Sequence, residues 1–158
     1  MRHFAEYDSP VGKLLLQSDG TALTGLWFDR EAPEEQSEDG GLEAAKRWLD
    51  GYFRGEKKTV TVPLSPEGTA FRKQVWELLL EIPYGETRSY GALARELAKR
   101  LGKKRMSAQA VGQAVGSNPI SILIPCHRVV GAKGQLTGYA WGIEKKQWLL
   151  CHEKENLL

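Results

Sequence analysis

Short apolar runs broken by turn residues fill the chain through Phe28, and apolar positions recur every three to four residues over most of the remainder, so strand-like and helix-like parts separate along the chain. Residues 3–7 and 13–18 read as strands joined by turn chemistry at Asp8-Ser9-Pro10, and 21–28 follows as a third strand after Asp19-Gly20. Residues 29–41 are acidic and polar, the pattern of a solvated loop. Leu42, Ala45, Trp48, Leu49, Tyr52 and Phe53 then share one helical face; Gly55 ends that helix, and 59–62 reads as one more short strand.

The stretch Pro63-Leu64-Ser65-Pro66-Glu67-Gly68, with its two prolines, is the best boundary. It predicts an amino-terminal α/β domain over 1–66 and a mostly helical domain over 67–158. Beyond it, Thr69 can cap a helix whose stripe is Phe71, Val75, Leu78, Leu79 and Ile82, stopped at Pro83-Tyr84-Gly85. Ser89 can cap a second helix burying Leu93, Ala94 and Leu97. Ser107 opens a third over 108–115, rich in Ala, Val and Gly, which Asn118-Pro119 breaks. After the apolar run 120–124 and an extended 129–130, a last helix is expected over about 143–153. The fold class is therefore α/β (α+β), the second domain carrying a winged helix-turn-helix-like arrangement. Helix, connection and small-residue helix also fit plain packing, and the pattern alone does not choose between the two.

Charge alters that balance. Residues 1–66 hold 8 Lys and Arg against 12 Asp and Glu, whereas 67–158 hold 14 against 8. Arg88, Arg95, Lys99, Arg100, Lys103, Lys104 and Arg105 fall in one stretch opposed only by Glu96, which suits a polyanion such as nucleic acid. No apolar run approaches the roughly 20 residues that cross a bilayer, so no membrane partner is expected. No secretory leader is visible, which points to the cytoplasm, with the nucleus as the alternative. Two cysteines, Cys126 and Cys151, are too few for a disulfide framework. The three histidines are scattered, so neither a metal nor another cofactor is expected.

A reactive cysteine needs a base or cation to become thiolate. In Pro125-Cys126-His127-Arg128 both follow directly. Neighbouring side chains in extended chain point to opposite faces, so a turn or a bridging water would be needed to couple sulfur and imidazole. An inert buried thiol in an apolar run is the competing reading. Cys151, beside Leu149 and Leu150 in a helical pattern, reads as a core residue.

The run from Asn118 to Val130, with Pro125-Cys126-His127-Arg128 at its centre, closely resembles the active-site signature of the O6-alkylguanine-DNA alkyltransferases, also called methylated-DNA–protein-cysteine methyltransferases. Ile82-Pro83-Tyr84-Gly85-Glu86-Thr87, Ser89-Tyr90-Gly91, Thr137-Gly138-Tyr139 and Trp148-Leu149-Leu150-Cys151-His152-Glu153 fall where that family has similar segments. The resemblance is strong from about Thr69 onward and looser before it. It implies direct-reversal repair of double-stranded DNA: an alkyl group on guanine O6 moves irreversibly to Cys126, once per molecule, with acceptance of O4-alkylthymine left open. It further implies His127 as a base acting through water, Glu153 as its orienting group and Asn118 as organiser of the cysteine turn. Tyr90 would help turn the nucleotide out of the duplex, and Tyr139 and the backbone around Val129 and Ala140 would line the guanine pocket. The helix holding Gln109, Ala110, Gly112 and Ala114 would lie in the minor groove, with Arg105 and Arg128 also on the DNA side. A monomer is expected.

Three departures from the family pattern stand out. Gln109 occupies the position where an arginine usually fills the gap left by the flipped base. Residues 1–66 contain no cysteine and one histidine, unlike relatives that hold zinc there. Trp141 stands where some relatives have glycine, and it would narrow the pocket against bulky alkyl groups. Competing functions are a lesion-binding relative without transfer, a helix-turn-helix regulator and a turnover cysteine hydrolase.

Overall fold

Strands β1 (His3–Ser9), β2 (Gly12–Ser18) and β3 (Leu23–Phe28) form an antiparallel meander in a computed structural model that describes residues 2–33, 39–57 and 59–157. Their register opposes Ala5 to Leu16 and Leu16 to Leu26, with Leu14 opposite Phe28. Directly opposed residues share a face, so these side chains form one apolar surface. Helix α1 (Gly40–Phe53) covers it with Leu42, Ala45, Trp48, Leu49 and Tyr52. Each large side chain so buried stabilises the fold by about 1.5–3 kcal/mol.

Part of the acidic loop expected at 29–41 is helical, and its residues 34–38 lie outside the described residues. Helix α1 begins at Gly40 because Asp39 caps it, accepting from Leu42 N at 2.9 Å and from Ser18 Oγ at 2.5 Å. The strand expected at 59–62 is absent. Pairing occurs later, where Leu23 N donates to Pro63 O at 2.9 Å and Ser65 N donates to Leu23 O at 2.8 Å. Pro63 and Pro66 have no N–H to extend a ladder, so it stays a single bridge.

The remaining elements are α2 (Ala70–Leu79), β4 (Arg88–Ser89), α3 (Tyr90–Arg100), α4 (Ala108–Gly116), β5 (Val129–Val130) and α5 (Ile143–Glu155). The three expected caps form: Thr69, Ser89 and Ser107 accept from Arg72 N, Ala92 N and Ala110 N at 3.2, 3.0 and 3.1 Å. Helix α4 packs against α2 and α3 through Val111, Ala114 and Val115, and Trp76 of α2 donates its indole N–H to Ala114 O at 2.8 Å. β4 and β5 pair in parallel.

One apolar core runs from the sheet into these helices. The free edge of β3 holds the segment that leads to Cys126: Leu26 N donates to Pro119 O at 2.9 Å and Ser121 N to Leu26 O at 3.2 Å. The amino-terminal sheet thus fixes where the cysteine turn begins.

Candidate active site

Asn118 ties down the segment before the cysteine from both ends. Its Nδ2 donates to Ile124 O at 2.8 Å, and its Oδ1 accepts from Ile120 N at 2.9 Å. Between them Ile122 sits at φ 71°, a left-handed conformation that a β-branched residue adopts only under constraint. The chain then turns through one 3-10 turn, Cys126–Arg128, rather than running extended. In a 3-10 turn, with three residues per turn, neighbouring side chains stand about 120° apart and not on opposite faces.

Cys126 forms part of a cavity of about 370 Å³ whose walls include Tyr90, Gly112, Asn118, Tyr139 and Trp141. Its thiol is only 7% exposed. Burial pushes the thiol pKa upward, with Asn118 and Lys146 pulling the other way. The resting group is therefore the thiol, and chemistry at sulfur requires a base.

His127 has the protonation state for one. It is fully buried, which lowers its pKa against the opposing pull of Glu153 and keeps the ring neutral at neutral pH. Its Nε2 lies 2.5 Å from Glu153 Oε2. Burial favours protonation of Glu153, but His127 and Arg128 outweigh it and hold the carboxyl well below the usual range. An ionised carboxylate only accepts, so Nε2 carries the proton and Nδ1 is left as an acceptor. Nδ1 is buried and has no hydrogen-bond partner among the described residues. The ring is thus set to take a proton on the nitrogen that the carboxylate does not occupy.

Glu153 projects from α5 into a ring of donors. Arg128 Nε reaches Oε1 at 2.8 Å and Nη2 reaches Oε2 at 3.1 Å, Tyr52 of α1 donates to Oε2 at 2.7 Å, and Gly85 N donates to Oε1 at 3.2 Å. Gly85 aims that N–H from φ +81°, where a Cβ would also meet the Leu157 side chain at 2.7 Å. A buried carboxylate with this many donors is a rigid fixture for the imidazole.

Tyr139 and Ala140, expected at the pocket, border the cavity, as do Tyr90, expected in nucleotide rotation, and Gly112, expected on the minor-groove helix. The Tyr139 hydroxyl is buried next to Cys126 and Ser121; burial first, then Cys126, pushes its phenol well above the usual value, so it remains a neutral donor. Trp141 is a wall as well, its indole N–H donating to Ser121 Oγ at 3.0 Å and its ring centred 5.8 Å from that of Phe28. Arg30 lies 5.1 Å from the Trp27 ring and 5.5 Å from that of Trp141, so the sheet braces this wall.

Four expectations need correction. Cys151 is exposed on α5 and does not lie in the core. Arg128 does not face outward: its guanidinium is buried against Glu153, donates to Ile82 O at 2.7 Å and sits over the Tyr84 ring. Val129 is fully buried in β5 and borders no part of the cavity, its backbone being paired with Arg88 of β4. Ala114 lies on the packed side of α4 beneath Trp76. On the open side Gln109, Gln113 and Gly116 are exposed at i, i+4 and i+7, Ala110 is half-buried, and Arg105 is exposed just before the helix. Part of the basic stretch is also neutralised: Arg100 bonds Glu81 at 2.6 and 2.7 Å and Glu96 at 3.0 Å, and Arg88 pairs with Glu86 at 3.2 Å. Arg95, Lys99, Lys103, Lys104 and Arg105 still border one shallow depression.

Lys146 and Tyr52 were not expected at the site. Lys146 is fully buried in α5 and donates through Nζ to Thr137 O at 2.8 Å and Gly138 O at 3.3 Å, supporting the backbone next to Tyr139. A buried lysine in a polar helix has no sequence signature; Tyr52 was hidden because it falls on the apolar stripe of α1.

Residues 70–155 match the family described as 6-O-methylguanine DNA methyltransferase, DNA binding domain, and residues 3–66 match the 6-O-methylguanine DNA methyltransferase, ribonuclease-like domain. The chain belongs to the 6-O-methylguanine DNA methyltransferase family. Among similar members, the methylated-DNA–protein-cysteine methyltransferase of Methanosarcina acetivorans is 46% identical over 154 residues, covering 94% of this chain and 96% of that protein. The crystal structure of Mycobacterium tuberculosis OGT in complex with DNA superimposes with a TM-score of 0.84 at 44% identity, covering 98% of this chain and 94% of that one. The O6-methylguanine-DNA methyltransferase from Pyrococcus kodakaraensis is further off, with a TM-score of 0.54 at 27% identity over 97% of this chain and 99% of that one.

Proposed function

We propose that this member of the 6-O-methylguanine DNA methyltransferase family repairs duplex DNA by direct reversal, Cys126 taking the alkyl group from O6 of guanine. The observation that carries this reading is the buried thiol at a cavity beside a neutral histidine, with Nδ1 free and Nε2 fixed on an ionised glutamate. His127 receives the thiol proton through a water, and the thiolate attacks the alkyl carbon in line. The S–C bond forms as the C–O6 bond breaks, and the bonding pair leaves with guanine, which takes up a proton. The thioether has no route back, so each molecule acts once.

The target carbon cannot be reached inside a stacked duplex, so the nucleotide turns out into the cavity at a cost of a few kcal/mol. Tyr90, half-buried at the cavity wall, assists that rotation, and Tyr139 and Ala140 receive the base. The open face of α4 lies in the minor groove, where Gln109 meets the gap left behind and Ala110 and Gly112 permit close approach. Arg105, with Lys103 and Lys104, meets phosphates. Trp141 limits the size of the alkyl group. The division at 66/67 separates a bracing unit from the unit that meets DNA. We place the reaction in the cytoplasm; among the described residues no helix is long and apolar enough to cross a membrane.

Intact and peptide mass spectrometry after mixing with duplex DNA carrying one O6-methylguanine tests the proposal. One methyl on the Cys126 peptide, with one equivalent consumed, is expected. A methyl on Cys151, catalytic turnover, or binding without transfer overturns it.

A further inference from the structure

We propose that Tyr52, on α1 of the amino-terminal unit, is a positioning residue of the transfer site whose hydroxyl, donated to Glu153 Oε2, sets how tightly that carboxylate holds His127. The inference rests on the direct-reversal reading above and adds to it a residue outside the carboxy-terminal signature.

The argument is one of competition for lone pairs. A carboxylate offers about four acceptor sites, roughly two per oxygen. Oε2 of Glu153 is approached by three donors: His127 at 2.5 Å, Tyr52 at 2.7 Å and Arg128 at 3.1 Å. Oε1 receives Arg128 Nε and Gly85 N at 2.8 and 3.2 Å. The Tyr52 bond therefore withdraws electron density from the same oxygen that stabilises a protonated His127. A stronger Tyr52 bond makes His127 a weaker base, and a missing one makes it stronger.

The tyrosine is built to hold this position. Its ring is fully buried, stacked on Trp48 with centroids 5.3 Å apart and set edge-on to Tyr84 at 6.1 Å. Its backbone carbonyl lies 2.7 Å from His152 Nε2 of α5. Burial, followed by Glu153, pushes the Tyr52 phenol well above its ordinary value, so it stays a donor over the working pH range. A phenylalanine would fill the same apolar space, and the hydroxyl is the part that packing does not call for.

The other groups around the pair are fixed and identifiable. Arg128 on the cysteine turn, Tyr84 from the connection after α2, Tyr139 from the loop before α5 and Lys146 on α5 all act on Glu153 or His127 through their charge or polarity.

Two substitutions that keep the ring test the proposal: Tyr52→Phe, and replacement of Tyr52 by 3-fluorotyrosine, whose more acidic phenol is a stronger donor. The readouts are the pH profile of single-turnover methyl transfer and the ¹⁵N titration of the His127 ring without DNA. Tyr52→Phe should move the acid limb and the His127 titration to higher pH by about half to one unit, a three- to ten-fold change in rate on that limb. The fluorinated protein should move both to lower pH. Coincident profiles for all three proteins, with at most a change in thermal midpoint, would make Tyr52 a packing residue and overturn the inference. Failure of the parent protein to transfer methyl would instead overturn the direct-reversal reading, and the ring titration would still decide the role of Tyr52.

Discussion

Glu153→Gln keeps the shape of the side chain and removes its charge, which makes it the sharpest probe of the buried cluster. The carboxylate has no solvent exposure and Arg128 has 7%, so neither can turn to water when the other is neutralised. Breaking a buried ion pair from one side costs about 3–5 kcal/mol, because the remaining charge is stranded. Against a total stability of about 5–15 kcal/mol the variant still folds in the cold. For a chain of this size the loss corresponds to a fall of roughly 6–20 °C in thermal midpoint. The pH dependence separates charge from shape. Glutamate ionises ordinarily at 4.5, and in the folded protein Glu153 is held well below that. On acidification the unfolded chain binds this proton first, so the stability from ionised Glu153 is complete above about pH 4.5 and is lost as pH falls further. Thermal melts followed by circular dichroism should therefore show a gap between parent and variant that is constant near neutrality and narrows from pH 4.5 downward. A gap that stays constant into acid, or a midpoint within 2–3 °C of the parent at pH 7, about 1 kcal/mol, would refute the account of Glu153 as an ionised anchor.

Asn118→Ala removes two buried hydrogen bonds that tie 120 to 124 across a strained Ile122, and denaturant unfolding should register a loss of about 2–4 kcal/mol together with slower transfer. Gln109→Arg adds a cation to the exposed face of α4 and should tighten duplex binding by about five- to ten-fold, with a salt dependence steeper by about one unit of slope in fluorescence-anisotropy titrations. Lys146→Met leaves the carbonyls of Thr137 and Gly138 without their shared donor, so single-turnover kinetics should record weaker binding of methylated duplex by several-fold, more than any change in the rate at saturation.

What the sequence discloses about this molecule follows from where each constraint is written. The caps at Thr69, Ser89 and Ser107 were legible because a cap is a local event, satisfied within three residues of its own position. The strand at 59–62 failed for the complementary reason: whether a stretch pairs depends on which edge it meets, and the prolines at 63 and 66 restrict contact with β3 to a single bridge. Cys126 and His127 could be singled out as neighbours, and Glu153 through the family resemblance. The same sequence signal misdirected Arg128, because a cation beside a DNA-facing motif looks like a phosphate ligand until a buried carboxylate is found to claim it. Residues carrying both a packing role and a polar one were the least visible. Tyr52 satisfies the apolar period of α1 with its ring and the transfer site with its hydroxyl, and only the second role depends on a residue 101 positions away. The amino-terminal unit is therefore more than a support for the half that carries Cys126 and His127. Through β3 it fixes the start of the cysteine turn, through Phe28 and Arg30 it braces the Trp141 wall, and through Tyr52 it reaches the carboxylate behind the base. The nucleophile, the wall and the proton acceptor of the site each lean on that unit.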